Sequence, residues 1–423
     1  MLKSEIFNYQ NGKLHAESTD LDVIARKVGT PCYVYSRTAI EAAWLEYDCA
    51  FGDRTHEVFY AVKANDNLSI LKALHLLGSS FDVVSIGELL RVLEVGVDAS
   101  RVVFSGVGKN IQEISDAIVL GVGTINIESL EEFERIEAVT DELKKPVSVA
   151  VRVNPDVDPK THPYISTGLK NNKFGVPIED AIELYKRIEL SGWVTVTGIA
   201  CHIGSQLVDV EPIIDAVKQI VLLASDLGAL GMKIETIDIG GGLGISYNGE
   251  RPPRINSFVE SLLRVVPAHF KIALEPGRSI VGHTGILLTR VELVKQTAHS
   301  RFVIVDAAMN DFLRPSLYSA WHGIVPYLEL SAARADVAPI CDVVGPVCET
   351  GDTLATGRKL IAREGDLIGV LDAGAYGAVM SSNYNSRLRC AEVLVQQDLF
   401  KIIRGRQAFE DMVKIEKQCL IMG

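Results

Sequence analysis

Residues 58–84 read VFYAVKANDNLSILKALHLLGSSFDVV, the pattern of one strand, one helix and a second strand. Val58 to Val62 is a β-branched and aromatic run, and Phe81 to Val84 is a second β-rich run. Between them Ile70, Leu71, Leu74 and Leu77 recur at helical spacing and mark one core-facing stripe. A strand that needs a helix before its next strand is the repeating unit of a parallel α/β architecture.

Worked outward, the same alternation continues to residue 277. Val102 to Phe104, Thr124 to Ile127, Val147 to Val153, Val196 to Cys201, Thr236 to Ile239 and Lys271 to Leu274 bring the candidate strands to eight. Ile213, Ile214, Val217, Ile220, Val221 and Ala224 mark another helix, with Pro212 near its first turn. Ser129 followed by Glu132 predicts a capping box at a third helix. Eight strands with intervening helices predict a TIM-type (β/α)8 barrel rather than an open sheet.

After Gly277 the rhythm changes. Ile286 to Val294, Phe302 to Val305, Ile340 to Val344, Leu367 to Leu371 and Ala391 to Val395 are β-rich and joined by Gly- and Pro-bearing loops, which predicts a second, mainly β domain. The stretch up to Arg37 is not helical in pattern. The expected layout is an N-terminal segment at 1–37 packing with the β domain, a barrel at 38–280 and the β domain at 281–423.

With 423 residues, 48% hydrophobic and 23% charged, the chain has the composition of an ordinary globular protein of two or three domains. Lys plus Arg is 42 and Asp plus Glu is 54, a net charge of −12 that argues against nucleic acid as a partner. The seven cysteines are odd in number, scattered and without a Cys-x-x-Cys pair, so a reduced chain without a metal ribbon is expected. No run approaches the roughly 20 apolar residues of a membrane span, and Met1-Leu2-Lys3-Ser4-Glu5 does not open a basic-then-apolar leader, so a cytoplasmic protein is expected.

In a parallel barrel the chemistry gathers where strands end. Lys63 follows an apolar strand, where desolvation would free its amine for Schiff-base chemistry; a lysine snorkelling to solvent is the alternative. Gly240-Gly241-Gly242 follows the seventh strand and offers backbone N–H groups to a phosphate, or simply makes a tight turn. Gly277 and Arg278 could complete that anion site. His202 and Ser205 follow the sixth strand, where a satisfied near-core histidine is the plainer reading. Glu275 ends the eighth strand, where a carboxylate needs a cationic or hydrogen-bonding partner, either Arg278 or a protonated heterocycle. In the β domain, Cys348 is an inert thiol or a proton donor. Arg314, Tyr318 and Tyr376 are the other polar residues on its Gly- or Pro-marked loops.

Taken together, Tyr60-Ala61-Val62-Lys63-Ala64-Asn65, His202-Ile203-Gly204-Ser205-Gln206, the triple glycine, Glu275-Pro276-Gly277-Arg278 and Cys348-Glu349-Thr350-Gly351-Asp352 resemble the alanine-racemase-like (fold-type III) pyridoxal-phosphate decarboxylases. Thr350 stands where many relatives carry serine, and the hydroxyl persists. The run from His162 to Lys170, Asn172-Lys173-Phe174-Gly175 and the run from Asn310 to Tyr318 resemble the diaminopimelate branch of that family.

The resemblance implies pyridoxal 5'-phosphate as cofactor, bonded by Lys63 and packed against by His202. Ser205, Gly240, Gly241, Gly242, Gly277, Arg278 and Tyr376 would hold it, and Glu275 would pair with the pyridine nitrogen. It further implies decarboxylation of diaminopimelate to L-lysine, with Cys348 returning a proton to Cα. Arg278, Arg314, Tyr318 and Tyr376 would bind substrate together with Glu349, which would hold the distal ammonium. Cys348 and Glu349 would come from the partner in a homodimer with shared active sites. A decarboxylase of another diamino acid, a racemase and a non-catalytic cofactor binder are the competing readings.

Overall fold

The computed structural model describes residues 6–157 and 172–421, and its chain divides into two compact units. One holds Glu41–Ser246 and Glu250–Ile280; the other gathers the chain up to Ile40, residues 247–249 and the chain from Val281 onward. The run from His162 to Lys170 lies outside the described residues.

The first unit is the barrel that the alternation predicts. Its strands are His56–Ala61, Ser80–Val83, Val102–Phe104, Thr124–Ile127, Val147–Asn154, Val194–Ala200, Thr236–Asp238 and Lys271–Leu274. Each pairs in parallel with the next, and the eighth returns to the first through Ile272 with His56 and Leu274 with Val58, so the sheet closes. Tyr60, Phe81, Phe104, Ile125, Val149, Ile199, Ile237 and Ile272 retain no exposed surface.

Both predicted helical stripes are present: Ile70, Leu71 and Leu74 are buried on helix Leu68–Leu76, and Ile213, Val217, Ile220 and Ala224 on helix Glu211–Ala229. The first strand ends one residue before its apolar run does. Ala61 N–H donates to Pro276 O at 3.1 Å, after which Val62–Ala64 forms a 3₁₀ turn that carries Lys63.

The capping box read at Ser129 and Glu132 is only half formed. Ser129 Oγ accepts the Glu132 N–H at 3.2 Å, but the Glu132 carboxylate turns inward. Its Oε1 meets Lys109 Nζ at 2.8 Å, and its Oε2 accepts the Glu128 N–H at 2.7 Å. Lys109, 3% exposed, also donates to Gly106 O and Asn126 O, which ties the loop after the third strand to the fourth strand and its helix.

The second unit is built on strand Gly285–Gln296, long enough to serve two sheets. Its first half pairs antiparallel with Cys32–Ser36 and Leu367–Val370; its second half pairs with Arg301–Val305 after a register shift between Val291 and Leu293. Such a bulge lets one strand bend from one sheet into the next. Ala391–Gln396 lies parallel beside Cys32–Ser36 and forms a hairpin with Leu399–Arg404. Phe7, Leu14, Val34, Ile286, Leu288, Val393 and Val395 form one core cluster.

The N-terminal stretch contributes Phe7–Gln10, Lys13–Ala16 and Thr19–Asp20, then one helix, Leu21–Val28, that the pattern did not announce. Two turns with only Leu21, Ile24 and Ala25 buried are too short to write a stripe; the local signal is Asp20, whose side chain caps the Asp22 N–H.

The Lys109–Glu132 pair generates a stability prediction. Lys109→Ala leaves Glu132 buried without its cation and is expected to lower the unfolding free energy by about 3–5 kcal/mol. Urea denaturation followed by circular dichroism measures this, and a loss below about 1 kcal/mol contradicts a dry, paired site.

Candidate active site

Closure of the barrel makes the seventh, eighth, first and second strands consecutive neighbours, and their ends bring charged side chains together. Lys63 donates from Nζ to Asp82 Oδ2, and Asp82 on the second strand is fully buried. The amine thus meets a counter-charge rather than the purely apolar rim that the sequence suggests.

Two more carboxylates complete the group. Asp238 ends the seventh strand, and its Oδ1 accepts the Gly240 N–H at 2.8 Å. A side-chain hydrogen bond joins it to Glu275. Burial, then the Asp82 charge, pushes Asp238 up to about 6, even though the Gly240 N–H and Glu275 bonds and the Lys63 charge favour its anion. Glu275 is lifted well above the ordinary carboxylate range, first by burial and then by the charges of Asp238 and Asp82. Its Oε1 is solvent-inaccessible and has no hydrogen-bond partner among the described residues. An acid of this kind suits a site that receives a charged nitrogen.

His202 follows the sixth strand, and its Nδ1 accepts the Gly241 N–H at 3.3 Å. Burial, with the positive charges of Arg152 and Lys63, holds the imidazole well below its usual range, so a neutral flat ring stands at the barrel mouth. Arg152 on the fifth strand reaches Glu128 Oε1 at 2.8 Å and lies 4.8 Å from the Phe174 ring centroid. Glu128 also accepts the N–H groups of Gly106 and Gly175, so one carboxylate fixes two rim loops and one arginine.

The triple glycine is required by close approach. A Cβ on Gly240 would stand 2.6 Å from Cys201 O, and one on Gly241 2.3 Å from Glu275 O. Gly242, at φ +114°, would bring its Cβ to 2.5 Å from Gly204 O. Gly277 is pressed against the Cβ atoms of Ala61 and Ala64, and the N–H groups of Gly242 and Gly277 have no acceptor among the described residues. Arg278, 6% exposed, donates to Ser205 Oγ at 3.0 Å. An amine, an unsatisfied acid, a neutral ring and the amides of Gly242 and Gly277 together complement a ligand with an electrophilic carbon, a protonated ring nitrogen and an anionic tail.

The remaining predicted residues lie in the second unit. Arg314 and Tyr318 share helix Arg314–Tyr318, with the guanidinium carbon 6.0 Å from the Tyr318 ring centroid. The 348–352 loop is tightened by buried Asp352, whose Oδ2 accepts the Val347 N–H at 2.7 Å and whose Oδ1 accepts the Met309 N–H at 2.6 Å. Ser316 Oγ donates to Gly351 O at 2.6 Å and docks this loop on the Arg314 helix. Cys348 and Glu349 are exposed; Cys348 N–H faces Asn385 Oδ1 at 3.5 Å, and Glu349 Oε1 accepts the Tyr384 hydroxyl. Tyr376 sits at φ +57°, a conformation unusual for an aromatic residue.

Sequence reading missed Asp82, Asp238, Arg152 and Glu128. Three of them are single charges inside apolar strands, a signal that each has a partner, although only the folded barrel reveals which.

The chain matches a family model described as pyridoxal-dependent decarboxylase, pyridoxal binding domain, over residues 37–282. It is 47% identical over 409 residues to a diaminopimelate decarboxylase of Neisseria meningitidis, covering 96% of this chain and 100% of the relative. With a Pseudomonas aeruginosa diaminopimelate decarboxylase it shares 48% over 411 residues, covering 96% and 98%. The crystal structure of diaminopimelate decarboxylase from Helicobacter pylori complexed with L-lysine superposes with a TM-score of 0.90 at 42% identity, covering 95% of this chain and 100% of that one.

The acid pair makes a pH prediction. A carboxylate whose folded pKa is raised binds its proton more tightly when folded, so its contribution to stability falls as pH rises above the unfolded value of 4.5. In the cofactor-free protein, Glu275→Gln is expected to melt above the parent at pH 8, with the gap closing towards pH 4.5. Differential scanning fluorimetry across that range tests it; a pH-independent gap contradicts the assignment.

Proposed function

The chain belongs to the pyridoxal-dependent decarboxylases and, within them, to the diaminopimelate decarboxylases, and from that premise we propose how its own residues divide the reaction. The enzyme is a carbon–carbon lyase that converts meso-2,6-diaminopimelate to L-lysine and carbon dioxide with pyridoxal phosphate as cofactor, a reaction of lysine biosynthesis. The observation that carries the reading is the unpartnered Oε1 of Glu275 at the mouth that also holds Lys63.

Bound, pyridoxal phosphate supplies an aldehyde that condenses with amines and a ring that takes up the electron pair left when the carboxylate departs. Lys63 would supply the amine that holds the group. Glu275, with Asp238 behind it, keeps a proton at the ring nitrogen, because an anion there stabilises the N–H cation. Neutral His202 covers the ring without adding a positive charge. The phosphate would be held by the amides of Gly242 and Gly277, on loops that Gly240 and Gly241 allow to pack closely, with Ser205, Arg278 and Tyr376.

Substrate recognition falls to Arg278, Arg314 and Tyr318 at the distal carboxylate and to Glu349 at the distal ammonium, with Tyr376 as a further substrate contact. Cys348 delivers the proton to Cα that completes the product. Exposure of the 348–349 dipeptide suits a role in a second copy's site, so the working form is a homodimer with shared active sites. Seven free thiols fit a cytoplasmic enzyme.

The substrate reading is tested by carbon dioxide release from meso-diaminopimelate and L-lysine. Lysine lacks the distal carboxylate and forgoes the charge-assisted bonds assigned to Arg278 and Arg314, so discrimination of about 10⁴ in kcat/KM is expected. Lysine turnover within tenfold of diaminopimelate moves the chain to the diamine-type decarboxylases.

The shared site is tested by complementation. Lys63→Ala and Cys348→Ala homodimers are each expected to be nearly inactive, and random reassortment restores about a quarter of parental sites at most. No recovery after verified subunit exchange places both residues' functions within one chain.

A further inference from the structure

We propose that His322 is the positioning residue that sets the aim of the Arg314 guanidinium, and thereby the preference for a substrate bearing a distal carboxylate. The proposal rests on the reading of Arg314 as the carboxylate grip and deepens it.

Arg314 begins its short helix and is 6% exposed, and its Nε–H donates to His322 Nε2 at 3.2 Å. An arginine stem has several rotatable bonds, whereas bidentate recognition of a carboxylate needs the guanidinium plane held in one orientation. A bond at Nε fixes that plane from the stem side. It leaves the recognition task to the terminal nitrogens.

His322 is fixed more completely than a core filler requires. It has no exposed surface, and its Nδ1 lies 2.9 Å from Leu371 O. Because Nε2 accepts, the ring is the Nδ1–H tautomer and donates to that carbonyl. Leu371 N–H in turn donates to Gly323 O at 2.8 Å, and Arg358 donates to His322 O at 3.2 Å, so the backbone on both sides of the ring is tied.

Phe312 and Tyr247 meet the imidazole edge-to-face at centroid distances of 4.6 and 5.0 Å. The Tyr247 ring also lies 5.3 Å from the Arg314 guanidinium carbon, within range of a cation–π attraction. A phenylalanine would fill the same space. Only an acceptor at the Nε2 position can orient the guanidinium.

The test is steady-state kinetics of the holoenzyme with meso-diaminopimelate and L-lysine, with melting temperature recorded for each variant. His322→Phe keeps the ring volume and removes both bonds; KM for diaminopimelate is expected to rise about tenfold, with a smaller change in kcat and a matching loss of preference over lysine. His322→Gln, whose amide oxygen can occupy the Nε2 position, is expected to restore most of the KM. His322→Asn, which reaches only the Nδ1 position, is expected to restore little, and this Gln–Asn contrast decides the matter should the Phe variant fail to fold. In an Arg314→Ala background, His322→Phe adds no further change.

Parental KM and preference in His322→Phe, equal behaviour of the Gln and Asn variants, or additive effects in the Arg314→Ala background overturn the positioning role alone. An Arg314→Ala enzyme with unchanged preference overturns the carboxylate grip itself, and this proposal with it.

Discussion

An excess of negative charge at the barrel mouth is the constraint on which the catalytic end depends. Asp82, Asp238 and Glu275 come from the second, seventh and eighth strands, which closure gathers in one run with the first, and Lys63 and Arg152 are the cations whose charges act on Glu275. At separations of a few ångströms in a medium that screens less well than water, like charges repel by several kcal/mol, so the group cannot stay fully ionised. Burial and the neighbouring charges raise the proton affinity of Glu275. A ligand that brings its own N–H cation would answer the excess better, so the proposed pairing of Glu275 with a protonated heterocycle rests on the topology as much as on any single residue.

The neutral imidazole of His202 belongs to the same logic. An imidazolium there would offset the carboxylates and compete with a ring cation for Glu275. Burial together with the Arg152 and Lys63 charges suppresses that form, so His202 contributes a flat surface without altering the charge that Glu275 feels.

How much of this was legible in the sequence follows the range of the interactions involved. Lys63, His202 and Glu275 each directly follow an apolar run, so the parallel-barrel pattern alone assigns them to the working face. Asp82 and Asp238 sit inside runs that read simply as strands, and their significance comes from closure, which joins residues some 150 positions apart. Glu132 read as one half of a capping box because its spacing from Ser129 allows it; a buried lysine 23 residues earlier in the chain takes the carboxylate instead. His322 offers no local cue at all, since a lone histidine in Trp321-His322-Gly323 gains a role only from the arginine that faces it.

A phosphate must nevertheless be held beside these carboxylates, in a chain of net charge −12. A crowd of lysines would attract the phosphate but would also draw down the acids and remove the bias towards a protonated ring nitrogen. Backbone amides avoid that conflict, because they donate hydrogen bonds without carrying a full charge. They are reachable only where no side chain intervenes, and the contacts that a Cβ on Gly240, Gly241 or Gly242 would make with Cys201 O, Glu275 O and Gly204 O show that the loop is already packed against its neighbours. The glycines therefore serve two ends at once. Their smallness lets the seventh strand end run close to Glu275, and the same close packing leaves the N–H groups of Gly242 and Gly277 for the anion that the proposed function places there, beside Arg278, whose guanidinium is bonded to Ser205.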